Sequence, residues 1–172
     1  MSQRLPEFIE PLRLAESGRS LSGRIPLARF HRLAESLSSS EGEVDVVMDF
    51  GLDEQGRPCL LARIRVRLQV LCQRCLEPMD LPMELETRLQ LVTSEGKEQA
   101  LPEGFEALVV SESPFFLADI VEDELILALP LVPMHPDDIC PARAKSGFGM
   151  ESDSENRESP FAVLETLKTK KP

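Results

Sequence analysis

The chain has no tryptophan, no tyrosine and only two histidines among 172 residues, and its aromatic content is eight phenylalanines. A core made without large polar-tipped rings has to be built mainly from Leu, Val and Ile. With only His31 and His135 present, a histidine-based mechanism has few options. The sequence also lacks an apolar run long enough to cross a bilayer. Met1 to Leu14 mixes charged and apolar residues, without the continuous apolar stretch of a secretion signal. The expectation is a cytoplasmic protein that does not engage a membrane. No phosphate-binding glycine loop, GxSxG or HExxH motif occurs. A binding protein is therefore expected, not an enzyme, with no small-molecule substrate. Four cysteines are too few to make a disulfide scaffold in a chain this long, so they are read as thiols or metal ligands.

Lysine is absent before position 93: all twelve basic residues up to that point are Arg, against fourteen acidic ones. Residues 93–160 carry four basic and fifteen acidic side chains, so most of the net charge of −11 sits there. An acidic chain is poorly suited to non-specific phosphate binding, which draws on cation–phosphate contacts, and better suited to a basic protein partner. The exclusive use of Arg has two readings. Arg makes bidentate phosphate contacts better than Lys, and compositional bias of the genome produces the same pattern.

What is present in abundance is period-two alternation. Val44, Val46, Met48 and Phe50 alternate with mostly polar neighbours, as do Leu60 through Val70 and Leu81 through Leu91. Each run predicts a strand with one buried and one wet face. Asp53-Glu54-Gln55-Gly56 supplies turn chemistry between the first two, and Ala107 to Val110 predicts a further short strand. Residues 26–37 predict a short amphipathic helix, with Pro26 in its first turn and Leu27, Phe30, Leu33, Ala34 and Leu37 at helical spacing. A second helix is expected from Pro114, capped by Ser113, with Leu117, Ile120, Val121, Leu125 and Ala128 on one face and Pro130 stopping it. Residues 1–22 read as an extended lead-in. The expected fold is α+β: an antiparallel β-meander packed against helices, in a single domain over residues 1–140. Residues 141–172 are expected to form a flexible acidic linker and a short C-terminal helical segment.

Three groups of side chains could carry function. Cys72-Gln73-Arg74-Cys75 lies where a strand ends, and two thiolates at this spacing can grip one zinc ion. His135 and Cys140 would complete a structural Cys₃His site; reduced thiols packed at a turn are the competing reading. A thioredoxin-type role fits less well, because the motif does not open a helix after a strand. Cys59 has no such partner in sequence. Arg63, Arg65 and Arg67 share one strand face at about 7 Å spacing, close to that of phosphates along a nucleic-acid strand. With Arg74 they make a candidate RNA-binding face. Asp45, Asp49, Glu84 and Glu86 on the neighbouring strands offer the alternative, cross-strand ion pairs that consume those charges. Asp119, Glu122, Asp123 and Glu124 form an acidic helix face, either solvated or docking a basic partner.

Several segments together resemble one known family. They are Cys72 to Pro78 (CQRCLEP), Ala100 to Glu106 (ALPEGFE), Val121 to His135 (VEDELILALPLVPMH), Cys140, and the tail from Pro160 to Lys168. In this order they resemble the YceD family, the large ribosomal RNA subunit accumulation proteins of bacteria and plastids. The resemblance runs from about Arg24 to the C-terminus, and the segment ending at Pro133 is its most specific part. It implies a non-enzymatic role in ribosome biogenesis that promotes accumulation of large-subunit (23S) ribosomal RNA. The partners expected on this basis are that RNA or a precursor, or a basic large-subunit ribosomal protein. For the second, an acidic face would steer the partner in and let RNA displace it.

Overall fold

The structure, a computed structural model, describes residues 5–93, 101–110 and 114–142. Residues 1–140 form one compact unit and residues 141–172 another. The linker and C-terminal helix expected beyond residue 142 lie outside the described residues.

The centre of the first unit is a five-stranded sheet in the order β2-β3-β4-β5-β6. Its strands are β2 (Ser20–Pro26), β3 (Glu43–Leu52), β4 (Pro58–Leu71), β5 (Pro78–Val92) and β6 (Glu106–Val109). The first four pair antiparallel as a meander, and β6 runs parallel to the end of β5. This is the expected α+β class. Alternation fixes the faces: Leu60, Ala62, Ile64, Val66, Leu68 and Val70 are buried, while Arg63, Arg65 and Arg67 face water. The β3–β4 turn uses Gly56 at φ +76°. The Asp53 carboxylate accepts from the Gln55 and Arg57 N–H groups, so the turn's backbone donors are satisfied locally.

The structure departs from the sequence expectation in three N-terminal elements and in two helices. The expected lead-in over residues 1–22 holds β1 (Phe8–Ile9), α1 (Pro11–Glu16) and the start of β2. Leu21, Gly23 and Ile25 do alternate, but serine and glycine weaken the pattern, and the strand gains its stability from pairing with β3. The helix expected over residues 26–37 is not continuous. Pro26 ends β2, Leu27–Arg29 form a 3₁₀ turn, and α2 spans only His31–Ala34. Phe30 between them is extended, at φ −96° and ψ 90°. Leu27, Phe30 and Leu33 are all buried, and a three-residue spacing suits a 3₁₀ path into the core better than the 3.6-residue α period.

The helix expected from Pro114, α3 (Leu117–Ala128), starts three residues later. Pro114 precedes it, and Ser113 lies outside the described residues. Phe115–Phe116 instead form β7, which pairs with β1, and the Phe116 ring packs 4.3 Å from that of Phe8. The first helical N–H, on Leu117, donates to the Glu7 carbonyl, which replaces a side-chain cap. Leu117, Ile120, Val121 and Leu125 are buried in the same core as the sheet face, whereas Ala128 is exposed. Leu129 leaves the helix with ψ 133°, the extended conformation forced on a residue before proline.

Candidate metal centre

The β4–β5 connection and the segment after α3 meet at Cys72, Cys75, His135 and Cys140. One ligand atom from each lies within 4.8 Å of all the others. A tetrahedral zinc with Zn–S bonds of about 2.3 Å would hold its ligands roughly 3.8 Å apart, so the group needs only a small contraction. The donors fit zinc in kind as well: three sulfurs and one imidazole.

Local backbone explains why the sulfurs converge. At the end of β4, the Cys72 N–H donates to the Glu77 carbonyl and the Leu76 N–H to the Cys72 carbonyl, closing a tight knuckle. Closure puts Leu76 at φ +61°, in left-handed backbone that glycine normally occupies. The segment after α3 is tied to this knuckle. The Gln73 N–H donates to the Pro133 carbonyl at 2.8 Å, the His135 N–H points at Cys72 Sγ at 3.4 Å, and Arg74 pairs with Asp137 at 2.6 Å. His135 Nδ1 lies 3.4 Å from Cys75 Sγ.

The electrostatics favour a thiolate. Burial pushes the Cys72 thiol up, but N–H donors from His135, Cys75 and Arg74 outweigh it and bring it down to about 5. Cys75 is only partly buried, yet desolvation and the neighbouring sulfurs push its thiol up. Several backbone N–H groups aimed at one buried sulfur match the outer-shell bonding that holds a metal thiolate in place. Cys59 lies apart at the start of β4, and burial raises its thiol.

The other candidate residues are placed differently. Arg63 pairs with Asp49 at 2.9 Å, Arg65 with Glu84 at 2.6 Å and Arg67 with Asp80 at 3.5 Å. With Arg74 on Asp137, each of the four arginines faces a carboxylate. On α3, Asp119 is exposed but Glu122 is turned inward. Glu122 accepts from the N–H groups of Arg32 and Leu33 and from Arg32 Nε, at 2.7 to 3.0 Å, and so caps the start of α2. Burial pushes its carboxyl up, but these donors win and hold it below the usual range. Asp123 pairs with Arg32, and Glu124 is half-buried with its carboxyl raised by burial. A bridging role for Glu122 was not legible in sequence, because Arg32 lies 90 residues away.

Among the described residues, no helix is long and apolar enough to cross a membrane. No solved structure matches the chain. It is 33% identical over 170 residues to the large ribosomal RNA subunit accumulation protein YceD of Haemophilus influenzae, covering 97% of this chain and 98% of that one. The family model described as large ribosomal RNA subunit accumulation protein YceD matches residues 60–168, which include all four Cys and His residues of the cluster. By both measures, the chain belongs to the YceD family.

Proposed function

We propose that this protein is a non-enzymatic, cytoplasmic ribosome biogenesis factor. In this reading it promotes accumulation of large-subunit (23S) ribosomal RNA by binding a basic ribosomal protein, and its Cys/His cluster holds a structural zinc. The family supports the ribosomal role. The observation that favours a protein partner over RNA is that Arg63, Arg65, Arg67 and Arg74 each already face a carboxylate. A phosphate backbone would have to compete with those acids and with a net charge of −11. On the acidic helix, Asp119 is the residue left for a basic partner, because Glu122 and Asp123 are engaged with Arg32 and Glu124 is half-buried and bonded to Thr87.

Zinc, when bound, would supply a cross-link between the β4–β5 knuckle and the segment after α3. Cys72, Cys75, His135 and Cys140 would hold it, and the N–H groups around Cys72 would keep that sulfur ionised. A thiol-redox reading gains one point from the lowered Cys72 thiol, since reactive cysteines have depressed pKa values. Full burial of Cys72 counts against it.

The ratio of large- to small-subunit ribosomal RNA, measured in cells with and without the gene, tests the role. A fall on deletion, restored by the parent gene, is expected. Restoration by a variant with Arg63, Arg65 and Arg67 changed to Gln would speak against direct RNA binding, and failure of that variant to restore would revive it. An unchanged ratio on deletion would sink the proposal.

A further inference from the structure

Large apolar side chains are left in water around the Cys/His cluster. Leu131 is 100% exposed, Leu76 70%, Ile139 62% and Val132 56%, with Met134 and Leu71 close to half. They come from two chain segments held together by the Gln73–Pro133 and His135–Cys72 bonds. Leu71, Leu131 and Pro133 also line a groove of about 450 Å³ with Leu37, Ile126 and Leu129. Scattered exposed leucines need no explanation, but apolar side chains gathered on two tied segments beside one groove mark an interaction site. Leu76 adds an independent point. The knuckle needs a left-handed residue there, which glycine provides without strain, yet this chain carries a leucine whose side chain points into solvent.

We infer that this apolar collar is a docking surface for an apolar polypeptide segment flanked by basic residues in a partner protein. The charge at the rim selects the occupant. Glu35 lines the groove, Glu77 follows Leu76, and Asp137 and Asp138 precede Ile139, while Arg74 is already paired with Asp137. The rim is therefore net negative. It repels phosphates and a second copy of this chain, and attracts lysines and arginines placed beside apolar anchors. The inference rests on the reading of a basic protein partner and places that partner's apolar anchors at the C-terminal end of α3, the end opposite Asp119. The cluster would fix both halves of the collar, so that little ordering cost remains on binding.

The test uses the full chain and a fluorescein-labelled synthetic peptide, two lysines on each side of a Leu-Leu-Gly-Leu-Leu centre. Anisotropy titration is expected to give saturable binding. Affinity should fall at least tenfold for a Leu76→Ser/Leu131→Ser variant, and similarly when the peptide's lysines are replaced by Glu. Both substituted residues are exposed, and an unchanged melting curve and metal content would verify that the variant is folded. The inference is overturned if the parent shows no saturable binding, or if the folded variant binds as the parent does. It is equally overturned if labelled single-stranded RNA binds the parent and the variant abolishes that binding, or if sedimentation shows a dimer that the variant abolishes. The ribosomal reading fails separately: a normal ribosomal RNA ratio in deleted cells removes it while leaving a collar-dependent peptide affinity in place.

Discussion

Glu122 is a charged residue whose carboxylate is fully occupied by protein donors. Removing it leaves those donors without a partner in a buried place, so Glu122→Ala is expected to cost about 3 kcal/mol in urea denaturation. Its carboxyl is lower in the folded state than in the unfolded one. Its contribution is therefore fully present above the unfolded value, near pH 4.5, and is lost as pH falls through the folded value below that. Glu122→Gln should flatten the acid limb of a stability–pH curve in that window. Leu76 behaves in the opposite sense. It is exposed and left-handed, so Leu76→Gly should raise stability by roughly 1 kcal/mol. A loss of stability would mean that the leucine packs against the fold.

At the scale of elements, β4 carries two kinds of interaction on its two faces. Outward, Arg65 and Glu84 are both about 70% exposed, so their ion pair is screened by water. Arg65→Gln is expected to change stability by less than about 1 kcal/mol. Inward, Leu68 is fully buried, and Leu68→Ala should cost about 2–5 kcal/mol. Chemical denaturation of the two variants side by side measures the contrast. The same alternation made β3, β4 and most of β5 legible from sequence. β2 was not, because serine and glycine contribute little apolar signal and pairing decides it. The break in the helix at residues 27–34 has a related cause. Burial of Phe30 in the core overrides the local tendency to continue an α-helix.

For the whole molecule, the decisive connection is between the knuckle and the segment after α3, which are about 60 residues apart in sequence. Protein purified without chelator is expected to carry about one zinc per chain. Stripping it should lower the melting temperature and loosen residues 133–140, because the cross-link between the two segments is lost. Cys72→Ser should lose the metal and melt at the temperature of the stripped parent. If metal analysis finds none, and Cys72→Ser melts like the untreated protein, the cluster is a set of packed thiols.

The sequence by itself determined the strand faces, the turn at Asp53–Gly56, the acidic balance and the pairing of Cys72 with Cys75, because period-two burial, turn chemistry and short-range spacing are local properties. It also held the candidate ligand set, since chemistry alone restricts which residues could complete a two-cysteine site. Tertiary structure decided whether His135 and Cys140 reach that site. It decided that Arg63, Arg65 and Arg67 meet acids across neighbouring strands, and that Glu122 turns inward to Arg32. Each of these outcomes depends on register or packing between residues distant in sequence, and no local pattern encodes that distance.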